Sequence, residues 1–150
     1  EKERDSKARS KKGGLTDKKL KKLTHWIESK LGKNRVKKVK SSTRLSNTPA
    51  IITDHESAAF RRMMKHVESN HEMAGMMKTA HILEINPDHF IIKNLDQVRE
   101  TDEILAAEVI EQVYDNALIS AGIMDDPSAM APRVNSLLER VLAYNVENVK

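Results

Sequence analysis

The sequence predicts an α+β fold, a small three-stranded sheet with packed helices that ends in a helical hairpin. Three observations predict it. Short runs at residues 36–45, 50–53 and 81–85 are β-branched or alternate apolar with polar residues. The stretches beside them repeat their apolar residues at helical spacing. Residues 102–146 hold two long stretches of that kind, parted by Gly122 and by Asp125-Asp126-Pro127. A chain of 150 residues suits a single domain with a real core, and with aromatics at 3% that core must be aliphatic and methionine-filled.

Residues 1–14 are polar, charged and end in Gly13-Gly14, the composition of a disordered basic linker, so the folded domain is expected over 15–150. Thr16 is placed to cap a helix whose Leu20, Leu23, Ile27 and Leu31 share one face, with Gly32 as its stop. Val36 to Leu45 reads as the first strand, and Pro49 leads into a second, Ala50-Ile51-Ile52-Thr53. Asp54 or His55 opens a helix carrying Ala59, Phe60, Met63, Met64 and Val67, and the Met-rich residues 68–80 form a mobile connection. His81 to Ile85 alternates as a third strand should. Pro87-Asp88 then starts a helix with Ile91, Ile92, Leu95 and Val98.

The closing hairpin is the most informative part. In its first helix Ala106, Ala107, Val109, Ile110, Val113, Tyr114, Ala117, Leu118 and Ala121 span about half the circumference, against the ~100° stripe of an ordinary surface helix. In its second, Met130, Val134, Leu137, Leu138, Val141, Leu142 and Tyr144 make a similarly broad arc. Burying each large aliphatic side chain stabilises by roughly 1.5–3 kcal/mol. Faces this wide predict that two copies of the chain meet there. Gly122 suits a helix C-terminus, and Asp126 before Pro127 suits the next N-terminus.

Several function classes find no footing. No apolar run approaches the ~20 residues a membrane span needs. There is no Cys, so neither disulfides nor thiolate chemistry is available. Six histidines (His25, His55, His66, His71, His81 and His89) lack the i,i+4 pairing of a zinc motif, so no metal site is expected. Gly13-Gly14 lacks phosphate-loop spacing, and nothing orients Ser57 or Ser120 as a nucleophile, so no catalytic site is expected. Charge is uneven: residues 1–40 hold 16 Lys/Arg against 5 Asp/Glu (+11), and residues 41–150 hold 10 against 17 (−7). The basic arm makes a nucleic-acid-binding dimer the alternative reading. Without interleaved aromatics or a groove-reading motif, a solvated linker and helix face accounts for it better. A start at Glu-Lys-Glu-Arg, with neither Met nor an apolar signal region, suggests a piece of a longer protein.

Five strings occur together in order: Arg44-Leu45 with Thr48-Pro49-Ala50; Leu83-Glu84-Ile85-Asn86-Pro87; Tyr114-Asp115-Asn116-Ala117-Leu118-Ile119-Ser120-Ala121-Gly122; Asp126-Pro127; and Arg133-Val134-Asn135-Ser136-Leu137-Leu138. From about Leu15 to Leu142 this set resembles the C-terminal dimerisation domain of the heat-shock protein 90 family of chaperones. Asp125 to Met130 and Ile119 to Gly122 look most like the mitochondrial, TRAP-type members, with the bacterial proteins next. The resemblance implies a homodimer held by an intermolecular four-helix bundle, two helices from each chain, in an ATP-dependent chaperone that assists protein folding under stress. It implies interface residues Tyr114, Ala117, Leu118, Ala121, Val134, Leu137, Leu138, Val141 and Leu142, and contact with unfolded or partly folded client proteins through Phe60, Met63 and Met64. ATP and magnesium are implied for the parent, at a site outside this segment, which itself holds no cofactor. The implied location is the mitochondrial matrix, or alternatively a bacterial cytoplasm or another organelle. Cytosolic eukaryotic members end in an acidic Met-Glu-Glu-Val-Asp tail, whereas this sequence ends Tyr144-Asn145-Val146-Glu147-Asn148-Val149-Lys150, so docking of co-chaperones through that tail is not expected.

Overall fold

The computed structural model describes residues 14–42, 47–53 and 80–148. The expected basic linker (its residues 1–13), the helix from Asp54 or His55 and the Met-rich connection lie outside the described residues, as do Phe60, Met63 and Met64. The described elements are α1 (Asp17–Leu31), β1 (Val36–Ser41), β2 (Ala50–Ile52), β3 (His81–Ile85), α2 (Phe90–Thr101), α3 (Glu103–Ala121), a 3₁₀ turn (Pro127–Met130) and α4 (Ala131–Asn148). This is the α+β fold expected, four helices with a three-stranded sheet.

Helix α1 follows its sequence signals at both ends. Thr16 Oγ1 accepts from the Lys19 N–H at 3.3 Å, and Gly32, at φ +83°, returns its N–H to the Glu28 carbonyl. Leu20, Leu23, Ile27 and Leu31 are all buried. The sheet order is β1-β3-β2, with β1 parallel and β2 antiparallel to the central β3. The register of β1 against β3 slips between Val36 and Lys38. That bulge turns Val36 and Val39, three residues apart, to the same buried side, so β1 lacks simple alternation.

Helix α2 begins at Phe90, later than Pro87-Asp88 suggested. Asn86 Oδ1 accepts from the Asp88 N–H at 3.1 Å, which bends the chain, and His89 Nδ1 then caps the helix by accepting from the Ile91 N–H at 3.1 Å. Asp102 ends α2 and caps α3, accepting from the Leu105 N–H at 3.1 Å. Gly122, in the left-handed region at φ +73°, ends α3. Its N–H reaches the Ile119 carbonyl and that of Ile123 reaches Leu118, both at 3.0 Å, a Schellman closure. Asp126 caps as expected, but it opens the 3₁₀ turn, and α4 follows from Ala131.

One core joins the sheet to α1, α2 and α3, with Leu23, Ile27, Leu83, Ile85, Ile92 and Ile110 wholly enclosed. Arg35 fastens α3 to the first strand. Its guanidinium forms a two-pronged pair with Glu111 at 2.5 and 2.6 Å, its Nε donates to the Leu31 carbonyl, and its own carbonyl accepts from Tyr114 Oη at 3.2 Å. Glu111 holds the guanidinium pKa above its ordinary value, and burial raises that of the Tyr114 phenol.

Candidate interaction surface on the closing helices

The two hairpin faces that looked too wide for one domain have different fates. On α3, Ala106, Ile110, Val113, Tyr114 and Ala117 are buried in the chain's own core, and Leu118 and Ala121 pack partly against it. Two residues expected at the interface, Tyr114 and Ala117, are only 4% and 3% exposed, so their side chains are taken up inside the protomer. On α4 no described residue is buried. Val134 and Leu137 are half-buried, while Leu138, Val141, Leu142, Tyr144 and Val146 are all more than half exposed. The surplus apolar surface therefore sits on α4.

Polar groups hold α4 in that position. Arg133 pairs with Asp115 and donates to Gln112 Oε1 at 3.1 Å. Ser136 Oγ donates to both Glu108 carboxylate oxygens at 3.1 Å, and Arg140 Nη1 meets Asp102 Oδ2 at 3.0 Å. These contacts run antiparallel along one side of each helix. Because α4 turns this polar side to α3, its Val134, Leu138, Val141 and Leu142 stripe, set at i, i+4, i+7, i+8, is directed away from α3. The Asp102 carboxyl lies below its usual pKa, chiefly because it accepts the Leu105 N–H and also because of Arg140. Arg140 meets the residue that caps α3, so residues 141–148 continue past the start of α3 by up to ~12 Å. Residues 141–147 are all exposed.

Sequence reasoning missed these polar residues because each type is ordinary on a solvated helix. The signal was nonetheless present, since 108, 112 and 115 on α3 and 133, 136 and 140 on α4 recur with matching helical spacing.

A second apolar feature lies around the corner. An open, apolar groove of about 180 Å³ between α2 and α3 is lined by Phe90, Ile91, Leu95, Val98, Leu105 and Val109, with Asn94 beside them. Phe90 is 75% exposed. Ile91, next to the buried Ile92, borders this groove together with Leu95 and Val98.

Among the described residues, no group of three or more His, Asp or Glu side chains could hold a metal ion, and no helix is long and apolar enough to cross a membrane. Gly32 and Gly122 both close helix C-termini, whose negative dipole end suits cations, so they do not fit a nucleotide phosphate. His89 serves as a cap, and the lysines Lys18, Lys19, Lys21 and Lys22 line the solvent side of α1.

The chain matches the family described as Hsp90 protein over residues 1–150. It belongs to the Hsp90 family. Among its relatives, the mitochondrial heat shock protein 75 kDa of Rattus norvegicus is 40% identical over 131 residues, and the mitochondrial TNF receptor-associated protein 1 homolog of Dictyostelium discoideum is 42% identical over 130. The chaperone protein HtpG of Desulfitobacterium hafniense is 37% identical over 129. Each alignment covers 85% of this chain and 17–20% of the relative, so the chain spans about a fifth of these Hsp90 proteins' length. The Hsp90 family and the mitochondrial kin read from the sequence are both met.

Proposed function

We propose that this chain is the homodimerisation segment of an ATP-dependent molecular chaperone, tethering two protomers so that distant domains open and close against a fixed hinge. The observation that carries the reading is the outward apolar stripe of α4, held off α3 by the polar ladder. Leu138, Val141 and Leu142 form the centre of the seam. Val134, Leu137, Leu118 and Ala121 flank it, and Tyr114 and Ala117 support α3 from within the core. The nucleotide site of the parent lies elsewhere in its chain. The names of the relatives favour the mitochondrial matrix, with a bacterial cytoplasm as the alternative that HtpG supports. A nucleic-acid-binding role gains no support.

Sedimentation equilibrium tests the tether. The chain should be dimeric at micromolar concentration, and Leu138→Glu, which would bury an unpaired charge, should leave monomers with unchanged circular dichroism. A wild-type monomer, or a Leu138→Glu dimer, counts against the seam. Client contact through Phe60, Met63 and Met64 is part of the same reading, since flexible thioethers adapt to varied surfaces. Met63→Ser with Met64→Ser should weaken capture of an unfolded protein while the dimer persists; loss of folding instead would assign these side chains to packing.

A further inference from the structure

The first turn of α3 is gripped from two sides through two successive carboxylates. Asp102 closes α2 by donating its N–H to the Val98 carbonyl at 2.7 Å, caps α3, and meets Arg140 of α4 at 3.0 Å. Glu103, the next residue, meets Lys30 of α1 at 2.5 Å, and the Lys30 ammonium lies 6.0 Å from the centre of the Trp26 ring. Lys30 and, to a lesser degree, the Trp26 indole hold the Glu103 carboxyl below its usual pKa. We propose that this turn couples α1 to α4. Each contact favours the ordered turn that the other needs, so a displacement of α1 loosens α4 and, by linkage, the reverse.

Three features make the turn an element with two states, ordered or frayed. The first N–H groups of a helix have no partner within it, so a first turn stays ordered only while its cap holds. Here the cap is also the whole joint, since α2 ends at Thr101 and α3 begins at Glu103. A loosened Asp102 therefore frees the backbone of Glu103, and its carboxylate no longer faces Lys30. Each ion pair is also weak alone. The four side chains are 34–59% exposed, and exposed pairs of this kind contribute little one at a time. Two pairs on one turn share the entropic cost of ordering it. Finally, the N-terminal end of a helix repels cations, so Lys30 and Arg140 stay there only through these two carboxylates.

The position of Arg140 gives the coupling an output. It is the ladder residue nearest Val141 and stands two residues past Leu138, so its hold on Asp102 sets the part of α4 that carries the exposed stripe. Helix α1 is the input. Its buried face is fixed in the core, while Lys30 and Trp26 lie on the flank turned to α3. A neighbour that draws Lys30 away from Glu103 would thereby relax the set of α4. The coupling lies within one chain, and only its effect on the seam rests on the dimer reading above.

The chain's single tryptophan reports on the turn from the α1 side. In the Leu138→Glu background, which removes association, Arg140→Gln should raise acrylamide quenching of Trp26 by about 1.5-fold or more. Unchanged quenching overturns the coupling. A double-mutant cycle by urea denaturation in the same background separates coupling from independent losses. Lys30→Gln and Arg140→Gln should each lower the folding equilibrium constant about threefold, and together only about fivefold. A combined loss of about ninefold, the product of independent effects, overturns the proposal. In the wild-type background Lys30→Gln, on a helix outside the seam, should raise the dimer dissociation constant about threefold. An unchanged constant overturns the link to the seam. A monomeric wild type overturns the tether, and the quenching and the cycle then still decide the coupling.

Discussion

Gly32 sits at φ +83°, ψ 153°, a region open essentially to glycine, while Gly122 sits at φ +73°, ψ 25°, which asparagine also tolerates. A Cβ at Gly32 would meet nothing within 4 Å, so any penalty there comes from the backbone and not from crowding. Gly32→Ala and Gly32→Asn should therefore both destabilise by about 1–3 kcal/mol. Gly122→Asn should cost less than ~1 kcal/mol, and urea denaturation of the three variants checks the contrast. Both glycines were legible as helix stops from their place after an apolar period. Their difference was not, because ψ depends on where the next element leads the chain: into β1 after Gly32, and back along α3 after Gly122. His89 was legible only as one of six histidines without the pairing of a zinc motif. Its capping role depends on the Asn86 turn, which delays the helix past Pro87.

The polar ladder between α3 and α4 makes the hairpin's geometry titratable. Asp102 caps α3 and meets Arg140; the ion pair needs its ionised form, and the cap is stronger with it. Its lowered pKa means that this stabilisation is present above the ordinary aspartate value near 3.9 and is lost as pH falls through the lower folded value. Glu103, lowered by Lys30, acts with the same sign at the first turn of α3. Melting temperature should thus be flat near pH 5 and fall below about pH 4, and Asp102→Asn, which keeps a good cap, should flatten the fall. Arg133 and Asp115, at 20% and 17% side-chain exposure, lie deeper. Arg133→Ala should cost about 1–3 kcal/mol, and a double-mutant cycle with Asp115→Ala should return a coupling above ~0.5 kcal/mol. At this scale α1 was fully legible, since cap, period and stop agree. The bulge in β1 was not, because nothing in Val36-Lys37-Lys38-Val39 distinguishes an extra residue from an exposed one.

For the molecule as a whole, the question is where its unspent apolar surface lies. Composition and period identified two wide faces, but a helix read alone cannot say which of them its own domain will cover. The sheet, α1 and α2 close over α3, and Ile110, Val113 and Tyr114 become core. Helix α4, tied to α3 by charges and amides, keeps Leu138, Val141, Leu142 and Val146 outside. If a second copy covers them, association and folding are one equilibrium, and anything that binds only the folded state raises its apparent stability by mass action. The melting temperature should then climb with protein concentration. A tenfold rise contributes about 1.4 kcal/mol per dimer, and with unfolding entropy near 2.1 cal/mol/K per residue that corresponds to about 2 °C. Leu138→Glu should melt lower and at one temperature across a hundredfold range of concentration, because its unfolding no longer includes dissociation. Differential scanning calorimetry at three concentrations separates the cases. A wild-type melting temperature that ignores concentration would mean that α4 carries its apolar stripe without a partner, and the dimer reading would fall with it.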